Sequence, residues 1–170
     1  MMVASTTIEI ADLRRACGRF ATGVAVVTAC HGGQVVGMTI NSFSSVSLQP
    51  PLVLWSLRNG AKSRQVFETA ASFAISILSS EQARLARCFA VGSLEGFAMA
   101  ETVASPGGLP LIAGAIAHME CATCDIRNGG DHRIIIGSVN SLAVHEGAPL
   151  LFYGGQLLSD TKNLEQLVKS

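Results

Sequence analysis

Short apolar runs recur along this chain and are separated by breaks rich in glycine, asparagine, serine or proline. "GVAVVTAC", the turn "HGG" and "QVVGMTI" predict two strands joined as a hairpin. "PLVLWSL", "SFAISIL", "AIAHMECATCDI", "HRIIIGSVNSLAV" and "PLLFYGG" predict further strands, with "RNGGD" as the turn between the third and fourth of these. Helical spacing appears between them. Ile10, Leu13, Ala16 and Phe20 predict an amphipathic helix from Thr6 to Phe20, with Thr6 and Glu9 placed as a capping box. A short helix is expected over Ser63 to Ala71, and "SSEQARLARCFA" predicts another, with Ser79 and Gln82 as its capping box. From Val91 to Gly108 the pattern weakens, and "SPGGLP" reads as a surface loop. The polar tail after "PLLFYGG" is expected to be helical.

These elements give six or seven strands, mostly in hairpin order, with two or three short helices between them. Parallel βαβ repetition, internal repeats and long linkers are all missing. The expected architecture is therefore mainly β: an antiparallel barrel with helical insertions, one domain over residues 1–170.

Composition narrows the function classes. Net charge is zero and the sequence pI is near 6.9, which argues against nucleic acid and acidic membranes as partners. Charged residues make up 14% of the chain. Soluble domains typically have roughly 25%; the deficit fits a very apolar core or a surface partly covered by a second subunit, and slightly favours the second. The apolar runs are too short to span a bilayer, and the first residues lack the pattern of a secretory signal, so a cytoplasmic protein is expected. Five cysteines, an odd number, fit free thiols in a reducing compartment. "CATC" lies in a continuous strand pattern, where residues three apart point to opposite faces, so Cys121 and Cys124 are read as packing residues.

The stretch "GMTINSFSSVSLQPP" departs from the apolar pattern. A turn capping its own backbone accounts for it, and so does a cradle of donors and acceptors around a polar ligand edge. Nucleotide and hydrolase templates are missing: there is no G-x-G-x-x-G, no complete P-loop, no G-x-S-x-G and no H-E-x-x-H. The acidic residues fall mainly in expected helices and loops. Hydride transfer suits such a chain, because the cofactor supplies the reactivity and the protein supplies position. A flavin needs hydrogen-bonding groups along its pyrimidine edge, apolar walls and a cationic or helix-terminal phosphate site. Thr39, Asn41, Ser42 and Ser45 are candidates for the edge. Arg58, Lys62 and Ser63, at the entrance of a short helix, are candidates for the phosphate; as plain loop residues they would form a solvated face. Asp131-His132, at the start of a strand after Gly130, sets a carboxylate beside an imidazole, although the same residues also make an ordinary hairpin turn.

Six segments in order, "FATGVAVVTA", "GMTINSFSSVSLQPPLVLWSL", "FAISILSSEQARLARCFA", "LPLIAGAIAHMECA", "GGDHRIIIGSV" and "PLLFYGG", resemble the short flavin reductases with an FMN-binding split barrel, the reductase components of two-component flavin-dependent monooxygenases. The resemblance implies that Thr39, Asn41, Ser42 and Ser45 line the isoalloxazine and that Ser56, Arg58, Lys62 and Ser63 hold the phosphate. It places Phe89 near the outer part of the cofactor, and Gly130, Asp131 and His132 on the nicotinamide side. His132 then contacts the incoming NAD(P)H, orienting it and not acting as a base, since hydride transfer requires no proton abstraction. The resemblance also implies a homodimer, FMN or FAD as flavin, NADH or NADPH as co-substrate, and a separate monooxygenase as acceptor of reduced flavin. A split-barrel flavin- or heme-binding protein without turnover and a pyridoxal-phosphate-type oxidase share the barrel. The G-D-H turn and the polar run argue against the oxidase.

Overall fold

The computed structural model describes residues 8–160. Helix α1 (Ile10–Cys17) leads into β1 (Thr22–Gly23), the hairpin β2 (Ala25–His31) and β3 (Gln34–Ile40), then β4 (Ser44–Leu48) and β5 (Pro51–Arg58). Helix α2 (Arg64–Thr69), strand β6 (Ser72–Ile77), a 3-10 turn at Ser80–Gln82, and helices α3 (Ala83–Val91) and α4 (Ser93–Met99) follow. The chain continues through β7 (Thr102–Ala104), β8 (Pro110–Ile112), the long hairpin β9 (Ala117–Gly129) and β10 (His132–Val144), and a last hairpin, β11 (Leu151–Tyr153) and β12 (Gln156–Leu158). No helix among the described residues is long and apolar enough to cross a membrane.

Seven strands form one sheet in the order β3-β2-β6-β9-β10-β5-β4, antiparallel throughout. Its two outermost strands, β3 and β4, are consecutive in the chain, with only Asn41, Ser42 and Phe43 between them. In a flat sheet, six strand spacings of roughly 4.8 Å would hold these edges about 29 Å apart. Four Cα steps, from Ile40 to Ser44, reach no more than about 15 Å. The link is too short for an open sheet, so the sheet curls until its edges approach. The outcome is a barrel with one seam, as the hairpin order predicts.

Alternation decides what fills the barrel. On β5, Val53, Trp55 and Leu57 are buried, whereas Leu54, Ser56 and Arg58 lie on the other side. Trp55 meets Phe67 of α2 and Phe73 of β6 edge-on, with ring centroids 5.0 and 5.9 Å apart. Strand β2 is buried on both faces: Ala25, Val27 and Ala29 join this core, while Val26 joins a second one beneath α3. That explains its uninterrupted apolar run.

Two serine hydroxyls satisfy backbone groups on either side of the seam. Ser93 Oγ accepts from the Gly37 N–H at 3.0 Å and donates to the Gly37 carbonyl at 2.9 Å. Ser42 Oγ accepts from the Ser56 N–H at 3.0 Å and faces the Ser56 carbonyl at 3.4 Å. Each hydroxyl takes the place of one residue of a missing neighbouring strand. Gly37 also has to be glycine, because a Cβ there would run into the ring of Phe89.

Several elements differ from expectation. Helix α1 is shorter than Thr6–Phe20; Glu9 is its N-cap, and Thr6 lies outside the described residues. The apolar stripe of α1 does not reach the core of its own chain: Ile10, Leu13 and Phe20 are 69%, 53% and 77% exposed. The capping box at Ser79 does form, with Gln82 Oε1 accepting the Ser79 N–H at 3.0 Å. The segment of weak pattern contains α4 and β7, and β7 pairs with β8 across the expected loop. Strand β12 occupies the start of the tail expected to be helical, and residues 161–170 lie outside the described residues. Six of the expected strands lie in the large sheet, whose seventh member, β4, falls in the polar run not read as a strand. The expected last strand forms β11 of a separate sheet, and β1, β7, β8 and β12 are two or three residues long, too short to show a period of two. Cys121 is buried and Cys124 exposed on the single strand β9. Burial first, then the nearby Cys124 and Glu120, pushes the Cys121 thiol up to about 12, so it stays protonated as a packing group.

Removing the hydroxyl that bridges the seam tests this account. Ser42→Ala is expected to lower the unfolding free energy by about 1 kcal/mol in a urea titration; unchanged stability would show that the hydroxyl does not hold β5 to the link.

Candidate functional site

The polar run begins on β3, crosses the seam and ends on β4, and its side chains fall into two groups. Four are taken up by hydrogen bonds within the chain. Thr39 Oγ1 donates to the Ala86 carbonyl of α3 at 2.6 Å, and Ser42 holds Ser56. Ser44 Oγ donates to the Ser45 carbonyl at 3.2 Å, and Ser47 Oγ accepts from the Gln49 N–H at 3.1 Å. The Asn41 amide and the Ser45 hydroxyl are exposed and have no hydrogen-bond partner among the described residues. The run is thus partly a self-capping turn and partly a set of free polar groups.

Strand β5 brings the second candidate group to the third. Register sets Arg58 opposite His132 and Ser56 opposite Ile134 on β10. Residues directly opposite project from the same face. Ser56, Arg58 and His132 therefore share the side of the sheet turned away from Trp55, and Ser42 is tied to that group through Ser56. Ser45 differs: it pairs with Val53, on the opposite side of the ladder, beside a register shift between Ser45 and Ser47.

Charge around the loop after β5 is unevenly matched. Glu68 of α2 binds both Arg64, at 3.0 Å, and Arg133, at 2.9 Å. Arg58 and Lys62 form no ion pair or hydrogen bond among the described residues, although Arg58 lies near enough to help hold the Asp131 carboxyl down, so the positive charge of this segment is only partly offset. Ser63 is the N-cap of α2, but its hydroxyl makes no cap bond and no other hydrogen bond among the described residues. With only six residues, α2 adds little dipole of its own, so anion attraction at this loop rests on the two side chains.

The β9–β10 turn contains Gly130 at φ +71°, a conformation that favours glycine. Next to it, His132 Nδ1 lies 2.8 Å from Asp131 Oδ1. The hydrogen bond from His132 and its charge hold the Asp131 carboxyl below its ordinary 3.8. A carboxyl depressed in the folded state keeps its hydrogen bond from His132 at neutral pH and loses it only as pH falls through the lowered value. An ionised carboxylate can only accept, so Nδ1 is the donor to Asp131, and in that tautomer Nε2 is left as the open ring position.

Phe89 is placed differently from what the resemblance implies. It is 1% exposed and packs edge-on against Phe97 at 5.1 Å, in the core beneath α3. Its ring presents almost no surface to a ligand. Sequence reasoning also missed Asn59, Glu68 and Arg133, which join the loop after β5 to the β9–β10 turn. In the sequence they stand far apart, and only the β5–β10 pairing brings them together. Among the described residues, no group of three His, Cys, Asp or Glu side chains gathers as metal ligands.

Residues 17–159 match the model of the flavin reductase-like domain. The FMN reductase (NADH) SmoA of Agrobacterium fabrum is 42% identical over 144 residues, spanning 85% of this chain and 82% of that protein. HsaB of Rhodococcus jostii, the reductase subunit of a flavin-dependent monooxygenase, is 36% identical over 155 residues, spanning 91% of this chain and 80% of that one. The structure of the NADH:FAD oxidoreductase SgcE6 of Streptomyces globisporus, in complex with NAD and FAD fragments, superposes with a TM-score of 0.82 at 42% identity, covering 86% of this chain and 90% of that one. With its seamed antiparallel barrel and these similarities over most of its length, the chain belongs to the flavin reductase-like domain family.

Proposed function

We propose that this chain is an NADH-dependent flavin reductase, which moves a hydride from the nicotinamide to FMN or FAD and supplies reduced flavin to a partner monooxygenase. One observation carries the proposal: Arg58, at the head of a loop whose cations form no direct ion pair among the described residues, stands directly opposite His132 on paired strands, so an anion site and a nicotinamide contact fall on one face. The names of the relatives support turnover over mere flavin storage, and the HsaB relation supports a monooxygenase as recipient. A homodimer is supported by the unpacked apolar residues Ile10, Leu13, Phe20, Leu142 and Val144. A reducing, cytoplasmic compartment suits the free and exposed Cys17, Cys30 and Cys124.

The available donors suit a flavin phosphate: Arg58 and Lys62 offer charge, and Ser63 and Ser56 offer hydroxyls. Asn41 and the backbone N–H groups of the link would meet the polar edge of the ring, whereas Ser45 projects from the other side of the ladder. When bound, the flavin supplies the electron-accepting ring. His132 accepts a hydrogen bond from the nicotinamide carboxamide at Nε2, with its tautomer held by Asp131, and so orients the dihydropyridine ring. No proton is abstracted at this step, and His132 works by position.

Two variants separate the two halves of the site. Arg58→Ala with Lys62→Ala is expected to raise the Kd for FMN and FAD by more than about tenfold, the scale of lost charged hydrogen bonds, measured by quenching of flavin fluorescence. His132→Ala is expected to raise the KM for NADH about fivefold while changing flavin affinity less, measured by steady-state NADH oxidation. If His132→Ala weakened flavin binding and spared the KM, the assignment of the two halves would be wrong.

A further inference from the structure

Asn59 connects the two halves of the proposed site through three contacts. Its backbone N–H donates to the Asp131 carbonyl at 2.9 Å, its Nδ2 donates to the Gly130 carbonyl at 3.1 Å, and its own carbonyl faces Arg64 Nη1 at 3.4 Å. Glu68 makes a second tie between the same segments, binding Arg64 of α2 and Arg133, the residue after His132. The amide orientation follows from chemistry, since turning it over would set Oδ1 against the Gly130 carbonyl. In this orientation Oδ1 is buried with no partner. An ordinary turn asparagine would solvate both ends of its amide. Here one end is left unsatisfied while the other holds the turn.

We infer that Asn59 is a positioning residue for the nicotinamide contact: its side-chain amide clamps the Gly130-Asp131 turn to the loop after β5 and thereby sets where His132 stands. The inference rests on the proposed role of His132. Asn59 acts on NADH only through that residue. The clamp also makes the loop that carries Arg58 and Lys62 and the turn that carries His132 one mechanical unit.

The test is a double-variant cycle on the whole protein with saturating FMN. Asn59→Ala is expected to raise the KM for NADH about fivefold, with kcat changed less than about twofold, and to add nothing when His132 is already alanine, the non-additivity expected of residues acting through one contact. Asn59→Asp keeps the shape and the backbone bond but turns an acceptor toward Gly130, so it should reproduce the alanine effect and serves if the alanine variant folds poorly. A second readout needs no turnover: in flavin-free protein, the imidazole NMR signals of His132 should shift on Asn59→Ala while those of His118 stay in place. Effects that multiply in the double variant, or unmoved His132 signals, would overturn the clamp. If His132→Ala raises the KM and Asn59→Ala does not, the clamp alone fails. If His132→Ala leaves the KM unchanged, the role of His132 fails and the clamp fails with it.

Discussion

Three residues join the two edge strands of a seven-stranded sheet, and that short link sets the shape of the whole molecule. A link of this length cannot span an open sheet, so the strands roll up and leave a seam where β3 and β4 approach. Backbone groups at a seam have no strand to pair with. Small hydroxyl residues meet that need at little steric cost, and Ser42 and Ser93 each serve one backbone N–H and one carbonyl.

The same constraint locates the chemistry. A seam is the part of a barrel where polar groups and apolar surface can lie side by side without a pairing strand above them. Thr39 and Ser42 meet structural demands there, which leaves Asn41 and Ser45 free at the surface. The next strand leads away from the seam to Arg58, and its antiparallel partner begins at His132, so register alone brings a cationic loop to an imidazole. Glu68 neutralises Arg64 and Arg133, and this concentrates the remaining charge on Arg58 and Lys62. Hydride transfer between two bound cofactors asks for little beyond placement, and placement is what this framework supplies.

Much of this was legible in the residues. The hairpin β2–β3, strand β5, the β9–β10 pair and the Ser79 capping box follow from period and turn chemistry, which act over a few residues. What stayed hidden depends on contacts between distant segments. Strand β4 pairs with β5 through residues whose polarity reads as a turn, and α4 follows Gly92 within a stretch of weak pattern. Phe89 carries no local sign that Gly37 and Phe97 will enclose it. Asn59 looks like half of an ordinary Asn-Gly turn, and only the register of β10 against β5 shows what its amide holds. Helix α1 shows the converse: its apolar stripe is plain in the residues, but among the described residues it stays exposed.

The most direct test of the central claim is NADH oxidation by the purified protein, followed at the nicotinamide absorbance with and without added FMN or FAD. The account predicts turnover that depends on flavin and saturates with both NADH and flavin. A protein that neither binds flavin nor oxidises NADH in its presence would contradict it.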